Sequence, residues 1–216
     1  METAMSYCSL FSPLIYSSLL AVMVFIAGWY CKMRECTDQI TDLNAYNRVY
    51  HDDTVPYILT FIPFVFVAIY AFIAERMYGW FYCIEIICYY WVGTGFGTGI
   101  VNIMKKQLCM PRPYAMYRPD DQESYMSTPS GHMFQITFGI LYMMYVQYVL
   151  LHKQIHAFIH LFVNTFWSVI PLIVGSTRIM DNHHWPADVI FGAIIAVYAM
   201  IPIFILMYHI VANQHH

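Results

Sequence analysis

Three short clusters in this 216-residue sequence carry residue types suited to handling an anion, phosphate above all. Lys105 is followed, after six residues, by Arg112-Pro113. Next comes Pro129-Ser130-Gly131-His132, and last Arg178, His184 and Asp188, with five and then three residues between them. Arg112 offers a planar two-pronged donor and Lys105 a compact point charge, the two ways a side chain neutralises a phosphoryl group. Pro111 and Pro113 place these cations in a constrained loop on this reading. Ser130 is a helix N-cap residue and Gly131 leaves the backbone uncovered. The first free N–H groups of a helix starting there would point at an anion, with His132 in the first turn beside it.

The third cluster suits covalent chemistry. His184 and Asp188 are four apart, which sets them on one face if a helix begins near Trp185-Pro186. Asp188 is then expected to accept from one imidazole nitrogen, leaving the other unprotonated and aimed outward as a nucleophile. Arg178 adds a third cation where positioning and electrostatics do most of the work. His183 lies one residue away, at the wrong spacing from both Arg178 and Asp188.

The elements that must position these residues are membrane helices. Hydrophobic residues make up 60% of the chain and charged ones 11%, with a mean hydropathy of +0.53, where soluble domains carry about 25% charged residues. Six long apolar runs can be read, from about Ser9 to Cys31, Val55 to Ala74, Trp80 to Met104, Gly131 to Leu151, Ala157 to Thr177, and Pro186 to Ile210. Each is continuous rather than alternating, which excludes barrel strands, and each is long enough to cross a bilayer. The expected fold is therefore all-α, a polytopic integral membrane bundle of six transmembrane helices forming a single membrane domain, 1–216. With six crossings, the loops after the first, third and fifth spans share one face, and all three clusters fall on it.

Other features read as structural. Gly93, Gly95, Gly97 and Gly99 form small-x-x-x-small pairs within the third span, which favours close helix packing over a phosphate loop. Lys32, Arg34 and Lys106 are expected to be interface anchors. Glu85 lies inside the third span, where a carboxyl group must face a polar partner or cavity. His209, His215 and His216 read as interfacial, and Asp120-Asp121-Gln122-Glu123 as a solvated loop tip. The first apolar run lacks the flanks of a cleaved signal and is expected to be a retained helix. The cysteines Cys8, Cys31, Cys36, Cys83, Cys88 and Cys109 suggest neither a zinc site nor a disulfide framework. A net charge of −3 argues against nucleic acid as a partner.

Taken together, Lys105-x6-Arg112-Pro113, Pro129-Ser130-Gly131-His132 and Ser176-Thr177-Arg178-x5-His184-x3-Asp188 resemble the type 2 phosphatidic acid phosphatases, membrane relatives of the vanadium haloperoxidases. Thr177 stands where that family usually has serine. The resemblance covers roughly Trp80 to Ile210 and implies a haloperoxidase-like phosphatase core at about 80–210, preceded by two further helices. It also implies that His184 attacks phosphorus, Asp188 supports it, and His132 protonates the departing alcohol. Lys105, Arg112, Ser130, Gly131 and Arg178 would hold the phosphoryl oxygens, with no metal and no cofactor.

The function so implied is hydrolysis of lipid phosphomonoesters of the phosphatidate kind in an endomembrane or the plasma membrane. Its partners would be the lipid phosphate and the bilayer. The alternatives are a polyprenyl diphosphatase, a lipid phosphotransferase, or a non-catalytic transporter or scaffold. Two arguments about sidedness oppose one another. Lys32, Arg34, Arg48, Lys105, Lys106, Arg112, Arg118 and Arg178 lie on the cluster side against Arg76 and Lys153 on the other, so the positive-inside rule places the clusters in the cytoplasm. The resemblance implies a lumenal or extracellular face.

Overall fold

A computed structural model describes residues 2–34, 46–49 and 54–212, with side chains for 14–34, 46–49 and 54–207. Cys8, Cys36, His209, His215 and His216, named above, fall outside the described side chains. Six long helices are present and no strand occurs among the described residues: α1 (Glu2–Tyr30), α2 (Val55–Tyr78), α3 (Trp80–Leu108), α4 (Gly131–Leu151), α5 (Ala157–Met180) and α6 (Pro186–Ala212).

The helix starts follow from local chemistry. Pro56 occupies the first turn of α2 and Pro186 opens α6, where a missing N–H costs nothing. Gly79, at φ 98°, breaks the chain between α2 and α3. The Ser130 hydroxyl accepts from Met133 N–H to cap α4, and the His156 ring accepts from Phe158 N–H to cap α5. Five helices, α2 to α6, are long and apolar enough to cross a membrane, which makes this a multi-pass membrane protein. In α1 the corresponding apolar stretch is Leu14–Tyr30.

The most deeply buried helix is α4, packed against α2, α3, α5 and α6. Phe134, Ile136, Phe138, Tyr142, Met143 and Val146 are wholly enclosed along it. The outward side chains of α5 and α6, Phe158, Leu161, Phe162, Phe166, Leu172 and Ile205 among them, are exposed and apolar, as a lipid-facing surface requires. Three of the α3 glycines do pack helices: a Cβ on Gly93 or Gly97 would overlap the rings of Phe138 and Phe134, and one on Gly99 would lie 2.4 Å from the Val24 carbonyl of α1, whereas a Cβ on Gly95 would meet nothing within 4 Å, so Gly95 makes no such contact.

Several local expectations change. Lys105 and Arg178 stand on the last helical turns of α3 and α5 rather than in loops, because each helix continues beyond its apolar run. Lys106 is no interface anchor; its ammonium donates to the carbonyls of Gly28 and Trp29, closing the end of α1 against α3. Cys109 is disulfide-bonded, against the expectation of no disulfide, whereas Cys31, Cys83 and Cys88 are free. Cysteine spacing along the chain did not reveal this bond, because it depends on how distant segments meet in space; near Cys109, Arg34 N–H donates to the Lys106 carbonyl at 3.0 Å.

Candidate active site

The three clusters converge at one end of the bundle. Met116 N–H donates to the Tyr46 carbonyl, Arg48 N–H to Pro113, and the Asn182 side chain to Val49, so the segment 46–49 ties the α3–α4 loop to the α5–α6 loop. Trp185 completes the tie. Its indole N–H donates to the Pro111 carbonyl at 2.9 Å, Tyr46 meets it edge-on, and the Arg48 guanidinium lies 5.3 Å from its ring.

Main-chain bonds also tie the loop at Arg112 to the segment leading into Pro129, and the second cluster to the third. Arg112 N–H donates to Ser124, Ser127 N–H to Met110, and Ser130 N–H to Asp188, at 2.8, 2.9 and 3.0 Å. His183 and His184 both turn back to donate their N–H groups to the Arg178 carbonyl. Rigid backbone, not long side chains alone, therefore sets where the cations and histidines point.

Buried charge dominates the site. Arg112, Arg178, His184 and Asp188 are 8, 3, 2 and 2% exposed, and the Nε atoms of both arginines have no hydrogen-bond partner. The Lys105 ammonium would lie 3.8 Å from a Cβ on Gly131, so it faces the start of α4. Buried cations without counter-charges are costly, and here they surround the free N–H groups of a helix N-terminus, an arrangement that accepts a phosphoryl group.

His184 lies between α5 and α6. Burial, with the charges of Arg112, Lys105 and Arg178, drives its imidazole down to about 3, while the nearby Asp188 carboxylate pulls the other way. The net direction is toward a neutral ring, the form that can act as a nucleophile. The expected hydrogen bond to Asp188 is not made: Nδ1 is buried without a hydrogen-bond partner, 3.7 Å from Oδ2. Asp188 instead accepts from Ser127 Oγ and Trp185 N–H on Oδ2 and from Thr128 Oγ1 on Oδ1.

His132, in the first turn of α4, meets Tyr57 edge-on with ring centroids 4.7 Å apart. It forms part of the wall of a cavity of about 450 Å³ together with Tyr57, Phe61, Phe64, Tyr90 and Trp91. His183 meets the ring of Tyr114 edge-on, with centroids 5.6 Å apart. Among the described residues no three His, Cys, Asp or Glu side chains are grouped as a metal-ligand set.

Ser127, Thr128 and Tyr57 touch the reacting groups and were not singled out in the sequence. Ser127 and Thr128 directly precede Pro129-Ser130-Gly131-His132, and that adjacency was the signal available.

An all-helical bundle with five membrane-length helices, gathering cations and two histidines at one end, defines a multi-pass membrane protein built around a polar site. The chain belongs to the PAP2 superfamily, whose family model matches residues 86–214, more than half of its length. This agrees with the resemblance carried by the three motifs, and membership supports a phosphatase-type function. No curated protein and no solved structure matches the chain.

Proposed function

We propose that the protein is a metal-independent phosphatase that hydrolyses lipid phosphomonoesters, phosphatidate and its relatives, through a phosphohistidine. The observation that carries the lipid reading is the aromatic cavity beside His132. Tyr57, Phe61, Phe64 and Trp91, which line it, are also exposed on the outer surface of α2 and α3, where a bilayer would lie. A substrate whose leaving group reaches the general acid from this side keeps its chain among apolar side chains and its phosphate among the cations.

In the first half-reaction His184 Nε2 forms the bond to phosphorus, the ester P–O bond breaks, and His132 gives its proton to the departing alkoxide. Lys105, Arg112, Arg178, the Ser130 hydroxyl and the backbone at Gly131 hold the phosphoryl oxygens as charge shifts across them. In the second, water displaces His184 from phosphorus, with His132 taking its proton. Asp188 steadies the imidazolium throughout.

On this reading the chain is one membrane domain, 1–216, with six crossings and a catalytic core at about 80–210. The Cys109 disulfide, three residues from Arg112, supports a lumenal or extracellular site, since disulfides persist in oxidising compartments.

The test is phosphate release by purified protein in detergent, with and without EDTA. The substrates are phosphatidate, a sphingoid phosphate, a polyprenyl diphosphate and glycerol 3-phosphate. Release is expected from the chain-bearing monoesters, unaffected by EDTA, with Phe64→Ala and Trp91→Ala raising KM. Preference for glycerol 3-phosphate or the diphosphate, or abolition by EDTA, would overturn it.

A further inference from the structure

The Asp188 carboxylate is gripped by hydroxyl groups that belong to neither the phosphate cradle nor the histidine pair. Ser127, fully enclosed, donates to Oδ2, and Thr128 donates to Oδ1, so each carboxylate oxygen has its own hydroxyl; Trp185 N–H adds a third donor at 2.9 Å. The main chain reinforces the grip, because Ser130 N–H donates to the Asp188 carbonyl and Ser127 N–H to Met110. Against this, the His184 Nδ1 stands 3.7 Å from Oδ2, beyond hydrogen-bond reach.

A carboxylate holding three donors is a weaker base than one holding none, and its position is fixed by all of them. We propose that Ser127 and Thr128 are positioning residues that hold the Asp188 carboxylate short of the His184 Nδ1–H, so that this bond closes only when charge develops on the imidazole. The inference rests on the phosphohistidine reading and deepens it. When Nε2 bonds to phosphorus and the ester oxygen departs with the His132 proton, the His184 ring gains positive charge while Nδ1 keeps its hydrogen. That hydrogen then finds an ionised acceptor only a few tenths of an ångström beyond hydrogen-bond reach, with Oδ2 3.7 Å from Nδ1. The interaction is stronger in the transition state than in the resting protein, which is the condition for it to speed the reaction. No proton passes to Asp188, because the hydroxyls keep it a poor base.

The charged groups acting on His184 are Lys105 from α3, Arg112 from the α3–α4 loop, Arg178 from α5 and Asp188 from α6. Removing a hydroxyl changes only the last of these. A carboxylate freed of donors becomes more basic and closes on Nδ1, favouring the protonated ring in the resting protein.

Nitrogen-15 NMR of histidine-labelled protein in detergent, assigned by comparison with His184→Asn, reads this directly. In Ser127→Ala and Thr128→Val the titration midpoint of His184 is expected to rise by about one pH unit. Thr128→Ser is expected to restore the original midpoint. Ser127→Cys, close in size but a weaker donor, should shift in the same direction if Ser127→Ala folds poorly. In the phosphate-release assay the shifted variants are expected to lose roughly tenfold in kcat with KM unchanged. A His184 midpoint that stays put in Thr128→Val and Ser127→Cys would overturn the proposal, as would a loss of thermal stability with kcat per folded molecule unchanged. Failure of the unaltered protein to release phosphate from any lipid would instead remove the phosphatase reading and leave the titration to stand or fall alone.

Discussion

Gly192 of α6 lies directly against the Ser130 carbonyl: a Cβ on Gly192 would fall 2.5 Å from that oxygen. Because the oxygen belongs to backbone, no side-chain rotation relieves the overlap, and α6 can approach the start of α4 this closely only with glycine there. Gly192→Ala is therefore expected to push Ser130 away from Asp188, destabilising the fold by about 1–3 kcal/mol, as overpacking typically does, with a lowered unfolding temperature and a reduced kcat. Thermal unfolding and phosphate release in detergent check both; unchanged values would mean that α6 can step back without cost.

His184→Ala is expected to abolish turnover while leaving the helices assembled, since the residue lies between α5 and α6 rather than within either. Brief incubation with ³²P-labelled substrate should label the unaltered protein with an acid-labile, base-stable phosphate and leave the variant unlabelled. Equal labelling of both would relocate the nucleophile.

The two histidines are expected to differ in their dependence on the leaving group. A departing alkoxide needs the proton that His132 supplies, whereas p-nitrophenolate leaves unaided, and the bond from His184 to phosphorus is needed in both cases. His132→Ala should lose about 10²- to 10⁴-fold on an alkyl phosphate, the range for general acid catalysis, and far less on p-nitrophenyl phosphate. Similar losses on the two substrates would reduce His132 to a phosphate contact.

Acid stability follows from the imidazole of His184, whose ordinary value of 6.5 falls to about 3 on burial beside three cations. As pH falls below 6.5 the unfolded chain takes up a proton that the folded site refuses. The stability this group contributes, full above 6.5, is therefore lost progressively toward pH 3. The drop in unfolding temperature between pH 7.5 and 4.5 is expected to be larger for the unaltered protein than for His184→Asn. Equal drops would mean that the folded site accepts the proton.

Much of the framework was legible in the sequence because its signals are local. Val55, Trp80, Gly131, Ala157 and Pro186 begin helices where proline, glycine or a capping side chain forces a boundary. Helix ends were less legible: apolarity marks the hydrocarbon layer, while backbone hydrogen bonding continues past it to Tyr78, Leu108 and Met180. The motif residues Lys105, Arg112, Ser130, Gly131, His132, Arg178, His184 and Asp188 announced themselves by spacing. Ser127 and Thr128 did not, because what distinguishes them is contact with a carboxylate 60 residues away, and no periodicity reports such a contact. Gly192 and Cys109 were opaque for the same reason.

The ends of α3 and α5, which present Lys105 and Arg178, are helix C-termini, and the end of α4 beside them is an N-terminus. Carbonyls at a C-terminus carry partial negative charge equivalent to roughly half an electron, so two of the cations are held in place by peptide dipoles. Neither Arg112 nor Arg178 is in an ion pair among the described residues. Among the described residues, an arriving phosphate monoester then has no carboxylate to evict from these arginines, and the compensation from the helix ends does not compete for their side-chain donors. The pocket stays charged when empty, and its attraction for dianions is expected to weaken with added salt in a graded way rather than through exchange with an internal rival.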